Sequence, residues 1–164
     1  MTTDTRPVVV AFDGSPEAVE AVRTAATLFR DRLLLVVTVW EPGIAMAAAM
    51  MPVGDIGGGS YTPPAPEAVE ALDKAQLEHA QAAAEAGVRL ATEAGATAEA
   101  LPVPDSSDVA DTIAAIVEER DAAALVVGSR GMGRVKSALT GSTSRRLLHE
   151  TRRPVLIVRA PGSS

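Results

Sequence analysis

The chain contains no cysteine, which removes disulfides and Cys-based metal sites from consideration. Phe, Trp and Tyr together make up 2% of its 164 residues, so a core must be built from aliphatic side chains. Histidine is nearly as scarce. His79 and His149 lie far apart with no ligand spacing, and each reads as a surface or packing residue; no metal site is expected. A long apolar run is missing too. The longest greasy stretch, Ile44 to Val53, is ten residues, against the roughly 20 a bilayer span needs. Met1 to Pro7 has no apolar h-region of a secretory signal. These absences lead us to expect a cytoplasmic protein with no membrane partner.

What is present suits a one-domain globular chain, residues 1–164. Apolar residues reach 47%, and a chain of this length buries roughly 70% of its unfolded surface on folding. The net charge of −6 argues against a general nucleic-acid binder. The distribution says more than the total. Between Gly128 and Arg153 stand seven basic residues, Arg130, Arg134, Lys136, Arg145, Arg146, Arg152 and Arg153, opposed only by Glu150. One basic region on an otherwise acidic chain suits a local anionic ligand, or a solvated basic helix.

Apolar patterning gives the order β-α-β-α-β-α-β-α-β. Pro7–Phe12, Leu33–Val39, Ala123–Val127 and Pro154–Val158 are continuous, β-branched and apolar, as in strands buried on both faces. Ala96–Val103 is a weaker strand. Ser15-Pro16-Glu17 supplies an N-cap, a first-turn proline and an early acid for a helix whose face is Ala18, Val22, Ala25 and Phe29. Glu67–Ala94 reads as a long helix with Leu77, Ala80, Ala84, Val88 and Ala91 inward and Gly95 as its stop. Gly87 should weaken that helix by about 1 kcal/mol relative to alanine. Ser106-Ser107-Asp108 caps a third helix with Val109, Ile113 and Ile116 inward, and a fourth ends near Thr151. The stretch from Pro42 to Pro66, ends included, holds Gly57-Gly58-Gly59 and five prolines. So long a connection is unusual in a compact domain, and a flexible insertion over residues 43–66, a lid or a partner surface is expected.

Such alternation implies an α/β fold with a parallel sheet and right-handed crossovers. Ligands of these sheets bind outside the carboxyl ends of the strands, at the switch point of strand order. Asp13-Gly14-Ser15, Val39-Trp40-Glu41 and the segment from Gly128 should converge there. Gly128-Ser129-Arg130-Gly131-Met132-Gly133 follows a strand directly. Its glycines allow tight turns and backbone N–H groups that cradle phosphate oxygens. Gly141-Ser142-Thr143-Ser144 opens a helix, whose N–H groups and positive dipole end suit an anion. Two better-known loops are absent. A Walker A motif needs Lys and Ser/Thr after Gly133, where Arg134 and Val135 stand; the dinucleotide fingerprint needs glycine where Lys136 stands. Asp13 suits a ligand's ribose hydroxyl or a bound metal at this strand end, or else caps the first helix or holds the turn.

Gly128-x2-Gly131-x9-Gly141-Ser142, the opening VVVAFDGSPEA and the closing RRPVLIVRA together resemble the universal stress protein family, UspA-like, over almost the whole chain. The resemblance implies a doubly wound five-stranded parallel sheet of order 3-2-1-4-5 with helices on both faces. It implies dimerisation, and membership of the subgroup that binds ATP, alone or with Mg. By position, Ala11, Phe12 and Asp13 would meet the nucleotide, with Ala11 and Asp13 near adenine and ribose. Val39 would offer backbone to the adenine edge, and Val127 and Gly128 would flank the ribose. Arg130, Gly131, Met132 and Gly133 would line the phosphates, and Gly141, Ser142, Thr143 and Ser144 would donate to them. Many relatives carry aspartate where this chain has Ala124, with Asp121 three residues earlier as a substitute, and Pro104-Asp105-Ser106 replaces their Gly-x-Pro.

No Ser-His-Asp set, metal cluster or positioned lysine appears, and nothing organises an attacking water. A stress-response sensor or regulator is therefore expected rather than an efficient enzyme, with slow ATP hydrolysis left open. A nucleotidyl transferase would need lysines or histidines at the strand ends. The alternative is an interaction module of the same fold that binds no nucleotide. Pro154–Val158, apolar and at a sheet edge, is the expected homodimer contact in either case.

Overall fold

The computed structural model describes residues 5–43, 65–129 and 142–160. These build one all-parallel sheet from β1 (Val8–Ala11), β2 (Leu34–Trp40), β3 (Ala98–Pro104), β4 (Ala124–Gly128) and β5 (Val155–Val158), in order β3-β2-β1-β4-β5. Four helices are seen among the described residues: α1 (Pro16–Leu28), α2 (Pro66–Glu93), α3 (Val109–Glu119) and α4 (Ser142–Glu150). The α/β class, the parallel sheet and the strand order are those expected.

The central strand explains the layering. Every residue of β1 is buried, because alternate side chains enter opposite cores. Val8, Val10 and Phe12 pack with Ala18, Val22 and Ala25 of α1 and Ala91 of α2. Val9 and Ala11 pack with Ile113 and Val117 of α3 and Leu147 of α4. With so few aromatics, small side chains let helices sit close to the sheet. At Gly87 the approach is closest: a Cβ there would lie 2.7 Å from Val36 Cγ1.

The caps follow the sequence. Ser15 Oγ accepts from Ala18 N–H at 3.2 Å, and Asp108 Oδ1 accepts from Ala110 N–H at 2.8 Å. At the far end of α2, Gly95 adopts φ +86°, its N–H donates to the Thr92 carbonyl, and Ala96 N–H donates to that of Ala91. This double closure is a Schellman motif. Asp121, at φ +46°, makes the same closure for α3, with its own N–H on Glu118 and Ala122 N–H on Val117.

Two readings change. Leu77 is exposed rather than inward, because α2 buries Ala80, Ala84, Gly87 and Ala91 while its N-terminal half runs past the sheet. Val88 packs against the core only in part. Asp121 lies at the amino edge of the sheet, paired with Arg153 and 3.9 Å from Arg6. It caps α3 there, three residues before the start of β4. The stretch expected to be an insertion lies outside the described residues apart from Gly43, Ala65 and Pro66. No helix among the described residues is long and apolar enough to cross a membrane.

Candidate functional site

The sheet reverses its winding between β1 and β4, and ligands of such sheets bind outside the carboxyl ends of the strands. A cleft of 630 Å³ lies at the carboxyl ends of β1 and β2, over Phe12, Asp13, Thr38 and Val39, and reaches Trp40 and Glu41. Gln76, His79, Ala80 and Ala83 of α2 form one wall and Val109 of α3 closes another side. Its volume lies within the range of about 300–1,000 Å³ usual for small-molecule sites.

Each part of this cleft is held by identifiable bonds. The buried Thr38 hydroxyl donates to the Phe12 carbonyl at 2.8 Å, tying the ends of β1 and β2 together. Asp105 N–H donates to the Trp40 carbonyl at 2.7 Å, extending β3 alongside β2. Gly43 N–H donates to Asp73 Oδ1 at 2.9 Å, so the chain leaving β2 is tied to α2. Asp13 Oδ1 accepts from Ser15 N–H at 2.9 Å. The aspartate thus serves the turn, while its exposed side chain still lines the cleft. The indole Nε1 of Trp40 is buried with no hydrogen-bond partner among the described residues.

On the β4 side, the Ser144 hydroxyl donates to the Gly128 carbonyl at 2.9 Å, setting the first turn of α4 against the end of β4. Ser129 N–H donates to the Val158 carbonyl at 2.7 Å. Gly128 has a packing reason of its own. A Cβ there would meet Glu17 Cβ at 2.8 Å, the Glu17 carbonyl carbon at 2.9 Å and Ala18 N at 3.1 Å.

Of the expected site residues, Phe12, Asp13 and Val39 line the cleft. Ala11 and Val127 are buried at the ends of their strands, with Ala11 turned into the core. Ser142, Thr143 and Ser144 open α4. Arg130, Gly131, Met132, Gly133 and Gly141 lie outside the described residues. Trp40 and Glu41 line the cleft as the convergence of Val39-Trp40-Glu41 implied, whereas sequence reasoning missed Thr38, Gln76 and His79. The helical spacing of Asp73, Gln76, Ala80 and Ala83 was the available signal. Among the described residues no group of three or more His, Asp or Glu is placed to hold a metal ion.

The cleft's described lining holds two carboxylates, Asp13 and Glu41, and neither Lys nor Arg. It suits the uncharged part of a ligand. Arg146 of α4 is also committed: its guanidinium meets Asp108, Asp111 and Glu150 at 2.8 to 3.0 Å. These partners, with the Glu150 hydrogen bond contributing most, raise its pKa above the ordinary arginine value.

A parallel sheet of order 3-2-1-4-5 with a ligand-sized crevice at its carboxyl edge defines a doubly wound α/β protein of the Rossmann-like class. The model of the universal stress protein family matches residues 4–159, and the chain belongs to that family. Among solved structures, the Archaeoglobus fulgidus universal stress protein in complex with dAMP is 23% identical, with 95% of this chain and 99% of that one covered and a TM-score of 0.62. A universal stress protein family member from Arabidopsis thaliana with AMP bound is 20% identical, covering 95% and 92%, at a TM-score of 0.58. UspA of Lactobacillus plantarum is 16% identical, covering 96% and 100%, at a TM-score of 0.70. No curated protein matches the chain.

Proposed function

We propose that this chain is a single-domain cytoplasmic stress-response regulator that binds ATP, without being an efficient enzyme. The observation that carries this reading is the cleft over Phe12, Asp13 and Val39, at the carboxyl ends of β1 and β2. Base and ribose would occupy the cleft, where no described lining residue is cationic. The phosphates would extend toward the start of α4 and the segment from Arg130 to Gly141, whose sequence provides glycines and basic residues. Mg, if it accompanies ATP, would be held chiefly by the phosphates. Relatives with dAMP or AMP bound support an adenine nucleotide as the ligand class.

Trp40 is the sole tryptophan and lines the cleft, which makes it an internal reporter. Titration with ATP is expected to shift or quench its emission with a midpoint equal to the calorimetric Kd. The absence of heat and of any fluorescence change at millimolar ATP would leave the interaction-module reading in its place.

Dimerisation through β5 belongs to both readings. Leu125 N–H donates to the Pro154 carbonyl and Ser129 N–H to that of Val158. In a parallel ladder, residues 154, 156 and 158 then face β4, and Val155 and Ile157 present their backbone groups to the open edge. Ile157→Pro deletes an outward donor without touching the β4 pairing. Light scattering should report a dimer for the wild type and for Ile157→Ala, and a monomer for Ile157→Pro. A dimeric proline variant would place the contact elsewhere.

A further inference from the structure

We infer that Arg146 is a positioning residue for phosphate recognition, holding the N-terminus of α4 against the end of β4. This rests on the nucleotide reading above. Helix α4 has nine residues, and helices shorter than about 12–15 residues are marginal without tertiary anchors. Its known buried anchors are two, Ser144 and Leu147. Ser144 grips β4 through the Gly128 carbonyl, and Leu147 enters the core beneath α3. These contacts hold the helix down and leave its rotation about them to be set by something else.

Arg146 supplies that constraint. Nη2 donates to Asp111 Oδ1 at 2.8 Å, in the first turn of α3, and Nη1 forms an ion pair at 2.9 Å with Asp108 Oδ1 at its N-cap. Nε and Nη2 donate to Glu150 Oε1 at 3.2 and 3.0 Å, one turn along α4 itself. The planar guanidinium is thereby fixed from both helices at once, which a lysine cannot reproduce. Asp108 Oδ1 also caps α3 through Ala110 N–H. Asp111 Oδ2 accepts from the Ser107 hydroxyl at 3.4 Å. The clamp therefore refers α4 to the rigid start of α3, beside Val109 in the cleft wall. Such half-exposed ion pairs contribute little to global stability. Their value lies in direction: an anion at a helix N-terminus responds to where the N–H groups point, and the effect is confined to the first turn.

The test compares ligands with and without phosphate on the full chain. Calorimetric Kd values for ATP and adenosine are measured for the wild type, Arg146→Gln, Arg146→Lys and Asp111→Asn. Arg146→Gln should weaken ATP about tenfold while adenosine changes less than about twofold, since coupling through a neighbouring residue is of this order. Arg146→Lys should fall between, and Asp111→Asn should repeat the ATP-selective loss from the other side of the pair. Unchanged ATP affinity in both Arg146→Gln and Asp111→Asn, or equal losses for ATP and adenosine, overturns the inference and leaves nucleotide binding intact. A wild type that binds neither ligand overturns the nucleotide reading, and this inference with it.

Discussion

Gly128→Ala is expected to destabilise the protein by about 1–3 kcal/mol, the usual cost of overpacking. For a chain of this length that is a fall in Tm of roughly 2–12 °C. The added methyl would stand 2.9 Å from the Glu17 carbonyl carbon and 3.1 Å from Ala18 N. These are backbone atoms of the first turn of α1, and that turn is fixed by the Ser15 cap and by the buried Ala18. No rotamer change relieves such a contact, so β4 or α1 must shift. Either movement disturbs the ligand edge. The Gly128 carbonyl holds Ser144 of α4, and the N-terminus of α1 adjoins Asp13. Nucleotide affinity should therefore fall together with Tm. Scanning calorimetry and ATP titration of the same preparation check both, and a variant with wild-type Tm would show that α1 yields freely at this point.

That result separates two reasons for one glycine. Its place in the G-x2-G-x9-G-S pattern assigns Gly128 to a ligand, whereas the structure adds a helix packed against it. Local rules carried the strands and caps. A four-residue β1 buried on both faces can only be continuous and apolar, and Ser15, Pro16 and Asp108 announce their helices by chemistry confined to a few residues. The site was half legible for the same reason. Asp13 follows β1 and Val39 stands near the end of β2, and both are placed by topology. Gln76 and His79 belong to a helix far along the chain, and only the packing of α2 on β2 brings them to the cleft. Arg146 read as one charge on a basic face. Its partners Asp108 and Asp111 are 38 and 35 residues away in sequence, beyond any helical periodicity. Leu77 misled because periodicity reports a face and does not report where the sheet beneath it ends.

Gly87→Ala is the second large effect, and its sign opposes the rule for isolated helices. Alanine inside a helix is favoured over glycine by about 1 kcal/mol, so propensity alone predicts a more stable protein. Packing predicts the reverse. The new Cβ would lie 2.7 Å from Val36 Cγ1, 3.2 Å from Phe12 Cγ and 3.3 Å from Phe12 Cδ1. Both neighbours are buried, Val36 completely. A β-branched Val36 has little χ1 freedom with which to withdraw. With an overpacking cost of roughly 1–3 kcal/mol set against the propensity gain, the net expectation is a loss of about 1 kcal/mol. A double-mutant cycle with Val36→Ala isolates the cause. In that background the Cγ1 contact is gone, and Gly87→Ala should become neutral or stabilising by up to about 1 kcal/mol. Chemical denaturation of the four proteins supplies the numbers. Equal costs of Gly87→Ala in both backgrounds would show that Val36 does not set the distance of α2 from the sheet. A sign reversal would establish that glycine is kept there for its missing side chain. That close approach is what brings Gln76 and His79, about three and two turns earlier on the same helix, to the wall of the cleft.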